Sequence, residues 1–375
     1  MKERTDIIIP DAVVAMNGEK RERIRKTNNF EKTDRAPVFS NCNQWIALAA
    51  RGVKFRQYIN SPRDNLREQI LNYKWKVENA LCDEPVATEV ITIGPDIGCI
   101  RGTEFPMEII WQDDQPPKTR HMLHNPEDVD SLAVPDPDGG LNSVLAEWYK
   151  AMADMAGDFD VRLNGEKVAV KATISHPGGP MPGAFALAGA ELFLWMAADP
   201  DRVHHLMDMV TESHINCIRF FDELTGRGHN HPQPLGADTA ERISADMFRE
   251  FVVPYYNRIW QKYPGKRSLH NCGQNDHLLE SMRDDLRIDN FNGFGFPTDR
   301  KLLGETFGGR VIMSGGPDPM LLLYGDRERV IAEGISYIKT AGANGGFILQ
   351  PGGGAAAETS VDNFQWLVEA SRRGD

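Results

Sequence analysis

The chain has 375 residues, of which 41% are hydrophobic and 26% are charged, and this composition excludes disordered and collagen-like proteins. With 42 Lys and Arg against 54 Asp and Glu, the net charge is −12, which argues against nucleic-acid binding. No apolar run reaches the roughly 18–20 residues of a membrane span, and the N-terminus has no signal-peptide core. Five cysteines without a CxxC spacing predict free thiols in a reducing, cytoplasmic environment: Cys42, Cys82, Cys99, Cys217 and Cys272.

Residues 1–35 are highly charged and are predicted to form a helical or irregular arm. After this arm, short apolar runs alternate with longer amphipathic stretches, as the strands and helices of an α/β protein do. The predicted strands are 36–41, 86–94, 166–175, 232–238, 266–273, 289–296, 310–316 and 345–351. Helical patterns occupy 244–263, 275–285 and 326–342.

The tight alternation after residue 232 indicates parallel strands joined by crossover helices. Eight such units predict a (β/α)8 barrel, with an open doubly wound sheet as the alternative. Residues 95–140 fit neither element and are predicted to form a hairpin insertion on the side of the active site. Since no repeat or low-complexity linker divides the remainder, residues 36–375 are predicted to form a single domain.

The sharpest chemical pattern is the pair His270 and Cys272 in the fifth predicted strand. Residues i and i+2 of a strand point to the same face, so the imidazole and the thiol would converge at the barrel mouth. Both groups are suitable zinc ligands, and a catalytic zinc takes three protein ligands and one open position. The alternative is a hydrogen-bonded histidine beside an inert, buried cysteine.

Three further residues near strand ends are candidates for acid–base catalysis. Asp238 and Glu241 follow the fourth strand and offer a carboxylate ligand or a general base. A turn cap for Asp238 and a surface ion pair for Glu241 are the alternative roles. His176 begins a Gly/Pro-rich loop whose backbone amides would face a substrate oxygen, although turns with positive φ explain those glycines equally well.

The glycine run PGGGAAAE at 351–358 has the spacing of a dinucleotide-binding loop. Too few residues follow Gly354 to complete a nucleotide-binding domain. We therefore interpret Gly352, Gly353 and Gly354 as a close approach of the backbone to a ligand or cofactor after the last strand.

Several longer motifs give the chain a family resemblance. The segments LHNCGQ (269–274), VIMSGGPDPMLLLYGDRERV (311–330) and GGFILQPGGGAAAETSVDNFQWLVEA (345–370) resemble the uroporphyrinogen decarboxylase superfamily, and in particular its cobalamin-dependent methyltransferase branch. The segments SADMFREFVVPYYNRI (244–259) and TDRAPVF (33–39) are similar to two further family motifs. The resemblance covers most of residues 33–370 and implies the (β/α)8 barrel.

Two departures from the family patterns concern the site. Porphyrinogen decarboxylases have an Arg-rich signature after the first strand, whereas residues 40–52 have no arginine before Arg51. Their GHG histidine after the last strand is replaced by Gly353, so porphyrin decarboxylation is not expected. The thiol-methylating branch binds zinc through His-x-Cys and a later cysteine. His270 and Cys272 match the first two ligands, but Gly353 again stands at the third position.

If a metal is bound, its third ligand must therefore come from elsewhere, and Asp238 or Glu241 is the nearest carboxylate source by strand order. A carboxylate in place of a thiolate makes zinc a better Lewis acid, suited to an ether oxygen. The implied function is O-demethylation, in which a methyl group passes from a small methyl ether to a cobalamin. That cobalamin would arrive on a separate corrinoid protein, because the chain has no corrinoid-binding DxHxxG motif.

Two other functions stay open at this point. One is a metal-free, decarboxylase-like lyase that uses Asp238 or His176 as acid or base. The other is a non-catalytic binding protein. Neither a membrane nor a nucleic acid is expected as a partner, and the sequence leaves the oligomeric state open, a homodimer included.

Overall fold

A computed structural model describes residues 2–98, 102–112 and 115–374, so Cys99 lies outside the described residues. Its strands, in chain order, are β1 (Glu3–Ile7), β2 (Val90–Ile93), β3 (Ile109–Ile110), β4 (Lys118–Thr119), β5 (Phe159–Leu163), β6 (Glu166–Ala172), β7 (Leu235–Gly236), β8 (Ser268–His270), β9 (Asn290–Asn292), β10 (Ile312–Gly315) and β11 (Phe347–Leu349).

Helices separate most of these strands. They are α1 (Asp11–Ala15), α2 (Asn17–Asn28), α3 (Gln44–Ala50), α4 (Phe55–Tyr58), α5 (Pro62–Asn79), α6 (Leu141–Met155), α7 (Pro180–Ala188), α8 (Glu191–Ala198), α9 (Pro200–Thr225), α10 (Ala245–Phe251), α11 (Val253–Lys262), α12 (Leu279–Asp284), α13 (Arg300–Phe307), α14 (Pro319–Tyr324), α15 (Arg327–Thr340) and α16 (Val361–Gly374). Short 3-10 turns occupy Pro126–Ser131, Ala156–Asp158, Ala240–Arg242 and Asp276–Leu278.

The chain folds into two compact units that alternate along the sequence. The first unit comprises the residues up to Gly94, the segment Ala151–Ala172 and the residues from Phe291 onward. The second unit comprises Pro95–Lys150 and Thr173–Asn290. Each unit is therefore built from segments that are distant in sequence, and the single domain predicted for residues 36–375 stays a prediction.

The first unit contains a sheet with the strand order β1-β5-β6-β2. Strands β1 and β5 are parallel, as are β6 and β2, whereas β5 and β6 form an antiparallel hairpin. The hairpin turns at Asn164 and Gly165, whose φ angles of 48° and 91° are both positive. Asn-Gly is the preferred sequence for such a two-residue turn. In the same unit, β10 pairs in parallel with β11, and Val38 bridges Leu349 in parallel.

The arm predicted for residues 1–35 needs one correction. It contains helices α1 and α2, as expected, but it begins with β1, a regular strand paired with β5. The strand has the sequence ERTDI, in which only the β-branched residues Thr5 and Ile7 are buried. A short strand with three charged residues gives no apolar run, so hydrophobic patterning could not reveal it.

A buried ion-pair network holds this arm to the rest of the first unit. The carboxylate of Asp83, which is 3% exposed, accepts hydrogen bonds from Arg23 at 2.9 Å and from Arg35 at 2.6 Å. The backbone N–H of Val38 donates to the same carboxylate at 2.8 Å. Asp83 thus links the second helix of the arm to the first predicted strand, and its burial is compensated by two cations.

The second unit is organised around α9, the longest helix described. Asp199 caps its first turn by accepting the N–H of Arg202, and helices α7, α8, α10 and α11 pack against it. Strands β7 and β8 pair in parallel within this unit. Strands β3 and β4 form an antiparallel pair inside the predicted insertion 95–140, and its position over the active site stays a prediction.

All eight predicted strand regions contain a strand or a bridge, and the observed strands are shorter. In the region 36–41, pairing is limited to the bridge at Val38. In the region 266–273, strand β8 ends at His270, three residues before the predicted end. Strand β5 was missed, although its alternating sequence FDVRL before Asn-Gly is a standard hairpin signal.

Among the described residues, no single helix is long and apolar enough to cross a membrane. Within the described segments, α7 and α8 together are long and apolar enough, but the pair is bent by 103°.

We expect Asp83→Asn to lower the free energy of unfolding by about 3–5 kcal/mol, because Arg35 loses its carboxylate partner and Arg23 retains only Asp34. Urea denaturation followed by circular dichroism measures the change. Glu31→Gln is the matched control, since the Arg25–Glu31 pair is exposed to solvent, and its midpoint should hardly move. Equal midpoints for the two variants would contradict a structural role for the network.

Candidate metal centre

The parallel pairing of β7 with β8 positions the candidate site. Leu235 lies opposite Leu269 and Gly236 lies opposite His270. The pairing continues one residue further, where the Ala237 N–H donates to the His270 carbonyl at 2.7 Å. Because both strands run in the same direction, Asp238 and the residues after His270 emerge at the same, carboxyl edge. Active sites of α/β folds are found at this edge.

At this edge the side chains of Asp238, His270 and Cys272 meet. His270 Nε2 lies 3.3 Å from Asp238 Oδ1 and 3.1 Å from Cys272 Sγ, and the three potential ligand atoms all lie within 4.8 Å of one another. The Cys272 N–H also approaches Asp238 Oδ1 at 3.4 Å. The structure therefore brings together the three residues that the sequence predicts as metal ligands, and their binding of a metal stays a prediction.

The electrostatics of this cluster depend on mutual charge compensation. Burial by itself lowers the pKa of His270, but hydrogen bonds to Asp238 and Cys272, together with their negative charge, raise it to about 10. The side chain of His270 is 38% exposed and that of Asp238 is 30% exposed. The cluster is thus partly desolvated yet accessible, as a site that admits a substrate must be.

Cys272 reaches the site from a loop rather than from a strand. Since β8 ends at His270, the predicted alternation along 266–273 does not orient Cys272. Asn271 and Asn275 fix the loop instead. The Asn271 amide donates to Asn275 Oδ1 at 2.6 Å, and the Asn275 amide donates to the carbonyls of Asn271 and Gly273. The pair of asparagines in HNCGQN is a sequence signal for this loop, because asparagine side chains readily form hydrogen bonds with nearby backbone groups.

Glu241 lies against the same loop. A Cβ atom on Gly273 would stand 2.6 Å from Glu241 Cγ, and the φ of Gly273 is +107°, so only glycine fits here. One carboxylate oxygen of Glu241 faces Arg242 at 3.5 Å, as in the predicted ion pair. The other, Oε2, is buried and has no hydrogen-bond partner within the described part of the chain. Such an oxygen is uncommon, because buried carboxylates normally have partners.

The backbone between Asp238 and Glu241 is strained. Thr239 adopts the left-handed conformation with φ +81°, which is unfavourable for a β-branched residue. Such strain costs about 1–3 kcal/mol and is concentrated at functional sites. No sequence pattern indicated it, because Thr has no preference for this conformation.

The remaining predicted site residues lie elsewhere. His176 is grouped with Glu104 and Cys217 and not with the Asp238 cluster, so its acid–base role stays a prediction. In the first unit, a Cβ on Gly352 would stand 2.3 Å from the Gly316 carbonyl oxygen. Close packing against the protein's own backbone therefore explains this glycine without a ligand. Gly353 and Gly354 have more space around them, and ligand binding by the three glycines also stays a prediction.

The donor set of Asp238, His270 and Cys272 fits zinc. Zinc bonds of about 2.0–2.3 Å in a tetrahedron place neighbouring ligand atoms about 3.3–3.7 Å apart. The separations of 3.1 and 3.3 Å around His270 Nε2 are close to that range. Imidazole, thiolate and carboxylate are all zinc ligands, and three of them leave the fourth position open.

Comparison with known proteins places the chain in a family. The sequence model of the uroporphyrinogen decarboxylase (URO-D) family matches residues 19–374, nearly the whole chain. The chain belongs to this family. The solved structure of a methyltransferase from Methanosarcina mazei covers 94% of this chain and 98% of its own, with a TM-score of 0.63 and 18% identity. The family match and this likeness confirm the (β/α)8 class of fold.

Individual relatives have two kinds of names. The methylated-thiol–coenzyme M methyltransferase of Methanosarcina mazei is 27% identical over 173 residues, which are 45% of this chain and 43% of that protein. The chain thus matches less than half of that relative. The uroporphyrinogen decarboxylase of Xanthomonas axonopodis pv. citri is 24% identical over 376 residues, covering 94% of this chain and 98% of its own. Both kinds are enzymes.

We expect Gly273→Ala to lower the free energy of unfolding through two effects. The left-handed φ costs about 1–2 kcal/mol for any residue with a Cβ. The contact with Glu241 adds a further cost of about 1–3 kcal/mol. Gly226→Ala is the control for the first effect alone, since Gly226 has φ +68° and no atom within 4 Å of an added Cβ.

A double-mutant cycle isolates the contact. In the Gly273→Ala background, Glu241→Ala should recover most of the second cost, whereas in the wild type it should not stabilise the protein. The measurement is urea denaturation of the four variants. Additive effects would show that Glu241 does not pack against residue 273.

Proposed function

We propose that this protein is a zinc-dependent methyltransferase that takes a methyl group from a small methyl ether and delivers it to a separate corrinoid protein. The cluster of Asp238, His270 and Cys272 is the observation that carries this proposal. The methyltransferase named among its relatives supports the reaction class, and the O-demethylation and the corrinoid partner are our extension of it.

The identity of the third ligand supports an oxygen donor over a thiol donor. Two thiolates would give zinc more electron density, which suits the activation of a bound thiol as a nucleophile. In this chain the third group beside His270 and Cys272 is the carboxylate of Asp238, 3.3 Å from the imidazole. A carboxylate leaves zinc more electron-poor, and zinc then supplies, when bound, a positive charge that stabilises negative charge on a departing oxygen.

The protein groups have separate tasks in this proposal. Asp238, His270 and Cys272 hold the metal, and His270 and Cys272 must be deprotonated to do so. Glu241 has a buried, unpartnered Oε2 among the described residues, and we assign to it the movement of a proton to the substrate oxygen. The methyl carbon leaves without the electron pair of its C–O bond, which stays on the oxygen and then takes up this proton.

The nucleophile in this proposal is the reduced cobalt of a corrinoid, which supplies the electron pair for the new bond to the methyl carbon. The given sequence has no DxHxxG motif for binding a corrinoid, and we assign the corrinoid to a separate partner protein. The partial exposure of His270 and Asp238 is compatible with such an approach from outside the chain.

The decarboxylase relatives that align over most of the chain raise a second candidate, a lyase acting on a carboxylic acid. Such a reaction needs a cation to bind the substrate carboxylate. Arg51, the sole arginine of 40–52, instead forms an ion pair with Glu68 at 2.6 Å and donates to Asn72. This arginine is therefore engaged within the protein, which disfavours a substrate clamp at the decarboxylase position.

We expect His270→Ala to lower kcat for demethylation by roughly 100-fold or more, because the metal then loses one of three ligands. The assay follows the absorbance of reduced corrinoid protein with a panel of methyl ethers. His229→Ala is the matched control, because His229 is 53% exposed and pairs only with Asp222 among the described ion pairs. Full activity of metal-free wild-type protein would refute the zinc role, and no cobalt methylation with any donor would favour the lyase or a binding protein.

A second substitution tests the role of the carboxylate. Asp238→Cys should retain about one zinc at this site, since a thiolate is also a zinc ligand. Its activity on methyl ethers should fall about tenfold or more, because the metal becomes a weaker Lewis acid. Elemental analysis and the same absorbance assay measure both effects. Retained zinc with unchanged ether activity would show that the carboxylate does not determine the donor class.

A further inference from the structure

The second unit contains another group of potential metal ligands, formed by Glu104, His176 and Cys217. Their potential ligand atoms all lie within 4.8 Å of one another. Glu104 is 8% exposed and Cys217 is fully buried, so this group is more enclosed than the Asp238 cluster. The three residues come from three parts of the unit: the turn Gly102–Phe105, the loop after β6 and the helix α9.

Each of these parts is held in place by close backbone packing. A Cβ on Gly139 would stand 2.6 Å from the Glu104 carbonyl oxygen, so the segment bearing Glu104 packs directly on the backbone there. The loop after His176 is bound to β7, where the Gly236 N–H donates to the Gly178 carbonyl at 2.8 Å. Cys217 lies on the buried face of a long helix. The three donors are therefore preorganised rather than brought together by flexible side chains.

Two of the three potential metal ligands accept hydrogen bonds from neighbouring side chains. The Ser213 hydroxyl donates to Glu104 Oε1 at 3.1 Å, and the Asn142 amide donates to Cys217 Sγ at 3.3 Å. Hydrogen bonds of this kind, from outside the ligand shell, orient metal ligands and stabilise their anionic forms. Asn142 and Ser213 are themselves buried, at 3% and 1% exposure.

The buried carboxylate of Glu104 would be stabilised by a nearby cation. In the part of the chain that the structure describes, no Lys or Arg nitrogen lies within 4.0 Å of its carboxylate, in contrast to Asp83 with its two arginines. Burial of a carboxylate without a nearby cation is costly. A divalent ion bound by Glu104 and Cys217 would remove this cost.

The space at this group is too small for an organic substrate. The cavity beside Glu104 and His176 has a volume of about 20 Å³ and is also lined by Phe105 and the ring of His214. That volume holds about one water molecule or one ion. The ring centroids of His176 and His214 are 4.7 Å apart, so a second imidazole borders the same space.

We propose that Glu104, His176 and Cys217 bind a second zinc ion, which has a structural role. Nitrogen, sulfur and oxygen groups of this kind are zinc ligands. The role is structural because the cavity of about 20 Å³ leaves no room for an organic substrate beside the ion. The ion joins the turn Gly102–Phe105 and the loop after β6 to α9. It thereby holds the loop that pairs with β7, the strand that leads into Asp238.

The experiment uses the full-length chain with the first site removed. Zinc is measured by elemental analysis in His270→Ala/Cys272→Ala, where about one zinc per chain should remain. Adding Glu104→Gln or Cys217→Ser should reduce this content at least fivefold. Adding Cys82→Ala, at a buried thiol of the first unit, is the control and should leave it unchanged.

Cobalt substitution gives a second readout. In the same background, Co²⁺ should produce one thiolate-to-cobalt charge-transfer band, which Cys217→Ser abolishes and Cys82→Ala preserves. If Cys217→Ser does not fold, the nearly isosteric Glu104→Gln decides the question by its zinc content. Absence of both zinc and the cobalt band from the folded background protein would overturn the second site while leaving the first site untouched.

Discussion

The parallel pairing of β7 with β8 is the constraint on which the candidate site depends. It is short, with two residue pairs and one further hydrogen bond from Ala237 to His270. A shift by one residue would turn His270 to the other face and separate it from Asp238, because successive strand side chains alternate. The register is therefore set by little backbone pairing, and the asparagine-held loop after His270 and the buried flanking residue Leu269 must help to keep it.

The two ligand groups of the second unit differ mainly in solvation. Around His270, burial lowers the pKa of the imidazole, but hydrogen bonds to Asp238 and Cys272 outweigh this effect and raise the pKa. Around Glu104 the enclosure is more complete, and among the described residues no Lys or Arg compensates the charge of its carboxylate. A metal in open surroundings can exchange a ligand for substrate, whereas one in closed surroundings can only connect segments. In our two proposals, a carboxylate, an imidazole and a thiol therefore have different roles according to their access to water.

The sequence predicted the eight strand regions and the meeting of Asp238, His270 and Cys272, since parallel strand ends lie at one edge. It gave the wrong reason for Cys272, whose position depends on side-chain hydrogen bonds of Asn271 and Asn275 and not on strand alternation. The group around Cys217 escaped prediction because its members are far apart in the chain and follow no spacing rule. Strand β1 escaped because its burial comes from pairing with β5, a tertiary effect that local patterning does not record.

The position of β1 at the border of its sheet has a consequence for folding. Glu3 pairs with Phe159, so this strand must wait for the β5–β6 hairpin before it has a template. Contacts so distant in sequence close late and slow the folding reaction. Until then the outer backbone groups of β5 are open to pairing with other chains, which is the usual start of aggregation. The short arm strand therefore covers the outer backbone groups of β5 in the folded protein.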